Sequence, residues 1–196
     1  MNGFTLIETL VAASAMAALA LLSLTVVQFS ADEASRQEKL TETVTDVLRA
    51  HAILSADLTQ AAPRRARRSD GVKPQTALEA RSVDGEGIFL TFVRGGWERP
   101  LREPRPALQA VAYRLSEGRV ERGSRERIDG PGPFSWSPVL EGVDGVIVDF
   151  YENGQWSPGW AGSPERPLPR ALRLTVRLAS DAGEFEHVAV LPGGLR

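Results

Sequence analysis

The chain has 196 residues, 42% of them hydrophobic, and it contains no cysteine, which excludes disulfide frameworks, thiolate metal sites and thiol nucleophiles. Its formal net charge of −2 is unevenly placed: residues 1–60 carry 3 basic and 7 acidic groups, residues 61–127 carry 15 and 9, and residues 128–196 carry 5 and 9. Such a dipolar layout suits packing against complementary subunits better than binding a polyanion.

In chain order, the first thirty residues come first and say most. No side chain from Thr9 to Ala31 is charged, and Leu10–Val27 is almost wholly apolar. That run is long enough to cross a bilayer as a helix, which takes roughly 20 residues. Glu8 stands at its mouth, behind Phe4, Leu6 and Ile7. A carboxylate drawn toward the centre of such a helix costs about 2.5–3.5 kcal/mol, and the nearest basic residue is Arg36. Its partner must come from outside the chain. A secretory signal peptide would show a basic n-region and a shorter apolar core, and an ordinary anchor leaves Gly3 and Glu8 unexplained.

No proline occurs before Pro63, so nothing forces a kink in the segment that follows. Leu40, Val44, Val47, His51, Leu54 and Leu58 recur at spacings of 3 and 4, which marks one face of an amphipathic helix. Glu38, Glu42, Asp46, Arg49 and Asp57 lie mostly off that face. A single helix is therefore predicted, with a span over 4–31 and an amphipathic half over 32–62 whose apolar stripe covers a sheet. A second face holds the small residues Ala34, Thr41, Thr45 and Ala52.

The segment from Arg64 to Arg81 reads as loop. Its cluster Arg64, Arg65, Arg67 and Arg68 is too far past the apolar run for lipid headgroups, and no aromatic interleaves with it as nucleic-acid binding would require. A solvated face or a subunit contact is expected. Short strands follow at Ile88–Val93, Leu108–Leu115, Arg119–Arg122, Gly142–Tyr151 and Ala171–Leu178. The last alternates Leu172, Leu174, Val176 and Leu178 against Arg173, Thr175 and Arg177. A turn at Ser180–Gly183 leads to a final strand, Glu184–Leu191. Strands joined by Pro/Gly-rich loops without intervening helices give antiparallel sheets. The expected fold is α+β, one long N-terminal helix laid on antiparallel β-sheet, with residues 63–196 forming the β-rich domain.

No catalytic constellation is legible. His51 and His187 lack metal-site spacing, and there is no Gly-x-Ser-x-Gly elbow. The oxygen-bearing residues Asp144, Asp149, Glu152 and Asn153 follow no calcium-loop signature. No catalytic residue, metal or cofactor is expected.

The six residues Gly3-Phe4-Thr5-Leu6-Ile7-Glu8, with the apolar run behind them, resemble the N-terminal signature of type IV pilins and type II secretion pseudopilins. The resemblance implies peptidase cleavage between Gly3 and Phe4, N-methylation of Phe4, and a Glu8 carboxylate that meets the N-terminal amine of a neighbouring subunit. Residues 1–3 are then the remnant of a leader. The pattern departs from the family in carrying no Lys or Arg before Gly3, for which a start further upstream is the expected reason. Farther on, Gly96-Trp97 with Pro100, Arg105, Leu108, Val111 and Tyr113 resemble the J-type minor pseudopilins of type II secretion. So do Leu140 with Val143, Phe150-Tyr151, Trp156, Trp160, and Leu168-Pro169-Arg170-Ala171. That resemblance implies a structural, non-enzymatic subunit near the tip of a pseudopilus, anchored in the bacterial inner membrane with its soluble domain in the periplasm. Its implied partners are the I-type and K-type minor pseudopilins, possibly the H type, the major pseudopilin and the prepilin peptidase, with side-by-side N-terminal helices for which Ala34, Thr41, Thr45 and Ala52 are then the partner-helix face, small enough for close approach. A minor pilin of a type IV pilus is the alternative, and a pilin-anchored periplasmic binding or enzymatic domain is the alternative from another class. Trp97, Tyr113, Phe150 and Trp156 are expected as core residues.

Overall fold

The uninterrupted, proline-free stretch before Pro63 forms one helix, α1, over Leu6–Leu58. The computed structural model describes residues 5–65, 74, 76–96, 108–125, 128, 132–163, 165–179 and 183–192. The chain falls into two units, Met1–Thr45 and Asp46–Arg196. In the first, α1 is the one described element. Its large apolar side chains from Leu6 to Phe29 are all more than half exposed, from 54% at Leu24 to 92% at Leu6. By length and composition this helix can cross a membrane.

The second unit holds the last turns of α1 and two antiparallel sheets. The strands are β1 (Leu78–Ala80), β2 (Val83–Asp84), β3 (Gly87–Arg94), β4 (Gln109–Ser116), β5 (Arg119–Arg125), β6 (Ser135–Glu141), β7 (Val143–Glu152), β8 (Gln155–Ser157), β9 (Ala171–Leu178) and β10 (Glu184–Val190). One sheet runs β1-β3-β4-β5-β6; the other runs β10-β9-β7-β2, with β8 paired to β7. Ala50, Leu54 and Leu58 of α1 share one core with Leu90, Phe92, Val111 and Tyr113 of the first sheet and Val146, Val148, Leu172 and Leu174 of the second. Burying each such leucine contributes about 1.5–3 kcal/mol, so the helix end is fastened mainly by apolar contact.

The expected strands are present: β9 spans Ala171–Leu178 as read from its alternation, β5 runs three residues beyond the expected Arg122 to Arg125, and the others differ by a residue or so at their ends. The three-residue β1 and β8, the two-residue β2 and β6 were not legible. The first three are too short to show a period. Strand β6 is a polar edge strand containing Pro138, tolerated there because an edge can lose a ladder donor. Its Trp136 lies against Gly123 of β5, where an added Cβ would come within 2.7 Å of the indole ring.

Two helix expectations need correction. Leu40 and Val44 do not take part in a sheet-facing stripe: they are 67% and 57% exposed, and burial starts only at the half-buried Val47. Periodicity marks a face but not the point where something covers it. The helix also stops at Leu58 rather than near Ala62, because the residues beyond it bond the end of β3. Ala62 N–H donates to the Val93 carbonyl at 2.7 Å, Gly95 N–H donates to the Gln60 carbonyl at 2.8 Å, and Ala61 bridges Arg94. Gly96 completes this joint with φ of 72°. The positive φ favours glycine, and a Cβ there would also push aside the Gln60 side-chain oxygen that accepts from Arg94.

Candidate functional site

The first site is the apolar half of α1. Glu8 lies in the first turn, its N–H donating to the Thr5 carbonyl at 3.0 Å, and its side chain is exposed. Gly3 and Phe4 lie outside the described residues. Every hydroxyl of this half is satisfied inside the helix. Thr9 donates to the Leu6 carbonyl, Ser14 to Val11, Ser23 to Leu19, Thr25 to Leu22 and Ser30 to Val26, all at 2.8–2.9 Å. Bonded back in this way, a serine or threonine costs little in an apolar medium. Glu8 cannot do the same, since a carboxylate only accepts, and the backbone N–H groups of the helix's first turn, the donors nearest to it, carry no full charge to match its own. It is the one charged side chain between Leu6 and Ala31, and no described residue partners it.

The second site is the small-residue face. Ala34, Thr41, Thr45 and Ala52 are all exposed. The Thr41 hydroxyl donates to the Gln37 carbonyl and the Thr45 hydroxyl to the Thr41 carbonyl, both at 2.8 Å, which leaves their methyl groups outward. Leu48, three residues past Thr45 and four before Ala52, is 64% exposed and belongs to the same face by helical spacing. Reading small residues alone had passed over it.

A third constellation was not legible in the sequence. Asp57, placed by periodicity among the off-stripe polar residues, is 1% exposed and sits at the centre of a buried ionic cluster. It accepts from Arg94 Nη1 at 2.6 Å, from Arg122 Nε at 2.6 Å and Nη2 at 3.1 Å, and from the Tyr113 hydroxyl at 2.6 Å. Arg94 Nε also donates to Gln60 Oε1 at 2.9 Å. One carboxylate thus ties the last turn of α1 to β3, β4 and β5. Burial, reinforced by the Asp57 charge and bond, raises Tyr113 far above the ordinary phenol value, so it remains a donor. Burial pulls Arg122 down, but its bond to Asp57 and the carboxylate charge outweigh that and raise it. The cluster sets where the last turn of α1 lies on the sheet, beside the apolar contacts that fasten it.

The other expected groups are scattered. Asp149 binds Arg173 at 2.8 Å and Glu152 accepts from the Trp160 indole at 2.7 Å, and among the described residues no three His, Asp or Glu side chains are grouped to hold a metal ion. Tyr113 and Phe150 are buried core residues, whereas Trp156 is partly exposed and packs under the Arg173 guanidinium. Arg64 and Arg65 are exposed; Trp97, Pro100, Arg105, Arg67 and Arg68 lie outside the described residues, as does the Ser180–Ala182 part of the expected turn. His51 and His187, 136 positions apart, are brought into contact.

The chain is matched over residues 25–191 by the family model for type II secretion system (T2SS) protein J. Type II secretion system protein J of Vibrio cholerae serotype O1 is 36% identical over 200 residues, covering 99% of this chain and 89% of that protein. A chain of the GspK-GspI-GspJ complex from the enterotoxigenic Escherichia coli type 2 secretion system superposes with a TM-score of 0.63 at 28% identity, over 77% of this chain and 98% of that one. A type IV-like pilin from Thermus thermophilus, at 16% identity and a TM-score of 0.53 over 78% of this chain and 98% of that one, shares the fold.

Proposed function

This chain belongs to the type II secretion system protein J family and is a minor pseudopilin of that system, and on that premise we propose that it is a non-enzymatic tip subunit which helps to start pseudopilus assembly for the export of folded proteins. The observation that carries the assembly reading is the contrast within α1: every hydroxyl of the apolar half is bonded internally, and Glu8 alone carries an unmatched charge. A free N-terminal amine of a neighbouring subunit supplies the matching group, and two charges costly apart become tolerable together. The apolar half anchors the subunit in the inner membrane, and the β-rich unit lies in the periplasm.

Processing between Gly3 and Phe4 frees this subunit's own amine. Co-expression with a prepilin peptidase is expected to remove everything through Gly3 and to methylate Phe4, as read by intact mass and N-terminal peptide analysis. A mature chain beginning inside Leu10–Val27 would contradict the pilin-like route.

The partners are the I-type and K-type minor pseudopilins, taken up along the face of Ala34, Thr41, Thr45, Leu48 and Ala52. That face is exposed, its hydroxyls are internally bonded, and its one large residue is apolar. In detergent, the full-length chain should form a heteromeric complex with both partners, detectable by size-exclusion chromatography with light scattering. Ala52→Glu should weaken it at least tenfold, about 1.4 kcal/mol, without changing the thermal midpoint of the free chain. Unchanged affinity in Ala52→Glu and Thr45→Trp would show that the helices meet on another face.

A further inference from the structure

We infer that His51 and His187 form an acid-sensitive latch fastening the last turns of α1 to strand β10. His187 is wholly buried on β10 and His51 is exposed on α1; their Nδ1 atoms are 2.9 Å apart and their rings meet edge to face with centroids 4.4 Å apart. A bond between two imidazole nitrogens uses a single proton, so one ring donates and the other must keep a lone pair. The His187 Nε2 atom is buried without a hydrogen-bond partner. The least costly arrangement therefore has His187 Nδ1–H donating to His51, because the other tautomer leaves an unbonded N–H in the core. A second proton on His187 must go to its buried Nε2, where no acceptor receives it and the charge is cut off from water.

The surroundings give no relief. On α1 the inward neighbours are Val47, Ala50 and Leu54; on β9 the residue paired with His187 is Leu174; on β10 the same side carries Phe185 and Ala189. The charged residues of those strands, Arg173, Arg177, Glu184 and Glu186, occupy the alternate positions and so the other face of the sheet. Asp46 pairs with Arg49, and Asp57 is held by Arg94, Arg122 and Tyr113. Burial, then the neighbouring His51, lowers the His187 imidazole from its ordinary 6.5 to about 4.

A buried base with a lowered value stabilises the closed form fully above pH 6.5, where both forms are neutral. That stability is lost as the pH falls from 6.5 toward 4, because the opened form binds a proton that the closed form refuses. At pH 5 the closed-to-open ratio is expected to be lower than at pH 7.5 by roughly 30-fold.

Hydrogen–deuterium exchange on the full-length chain in detergent tests this, at pH 7.5 and 5.0, with rates corrected for the intrinsic pH dependence of exchange. Protection of β10 relative to β4 should fall about tenfold or more on acidification. His187→Asn keeps an N–H donor but cannot be protonated, and His187→Leu keeps an apolar filling. Whatever their absolute protection, both should show the same β10-to-β4 ratio at the two pH values. An unchanged ratio in the wild type, or an equal acid loss in both variants, would overturn the latch.

Discussion

Replacing Asp57 by alanine is expected to destabilise the β-rich unit by roughly 3–5 kcal/mol, the usual cost of deleting one partner of a buried ion pair. The deletion strands more than one group. Arg94 and Arg122, with side chains 26% and 20% exposed, keep their charges but lose the carboxylate, and the Tyr113 hydroxyl loses its acceptor in the core. At about 2–4 °C per kcal/mol for a domain of this size, the thermal midpoint should fall by roughly 10 °C. Circular dichroism of the full-length chain in detergent reads it. Asp57→Asn retains the shape and one acceptor oxygen, so it should fall between wild type and alanine. The combination Asp57→Leu with Arg94→Met, Arg122→Met and Tyr113→Phe should regain much of the loss, because an apolar replacement leaves no charge stranded. A loss below about 1 kcal/mol in Asp57→Ala would mean that Arg94 and Arg122 reach solvent easily and that the cluster is not what holds the helix.

The second large effect belongs to Glu8. Glu8→Ala and Glu8→Gln should insert in the membrane at least as well as wild type, since a charge worth about 2.5–3.5 kcal/mol at depth is gone from the apolar helix. Both should fail to join the growing pseudopilus, with co-purified partner and secreted protein falling tenfold or more. The two substitutions separate charge from hydrogen bonding: if Gln restores recruitment and Ala does not, a neutral acceptor suffices for the amine. Wild-type secretion by Glu8→Ala would show that the neighbour's amine is met by some other group. Membrane fractionation run in parallel distinguishes failed insertion from failed assembly.

The two experiments probe opposite ends of one helix with different physics. At Glu8 a single charge has no partner among the described residues, whereas at Asp57 a single charge is saturated by its own chain. Between them, Thr41, Thr45 and Ala52 present a self-satisfied surface on which a neighbour can lie. Within the second unit, the end of α1 meets the sheets through Ala50, Leu54 and Leu58, the Asp57 cluster and the Gln60–Ala62 bonds to β3.

The sequence by itself determined whatever depends on a local period or on an ordered set of residue types. The apolar run behind Gly3-Phe4-Thr5-Leu6-Ile7-Glu8 marked a helix long enough to cross a bilayer and its odd carboxylate, because lipid demands length and makes a charge costly. Strict alternation fixed strand β9 to the residue, since a slip of one would turn every leucine outward. What needed the tertiary structure are contacts between residues far apart in the chain. Asp57 read only as a polar residue off the apolar face, because helical periodicity describes its helix alone. Its partners, Arg94, Tyr113 and Arg122, stand 37, 56 and 65 positions away and are assembled only by the sheet register. The same holds for His51 and His187, which read as two unrelated histidines until β10 closes against α1. The reach of the covering sheet is likewise tertiary: Leu40 and Val44 have the same period as Leu54 and Leu58, and only the sheet's extent decides which of the four are buried.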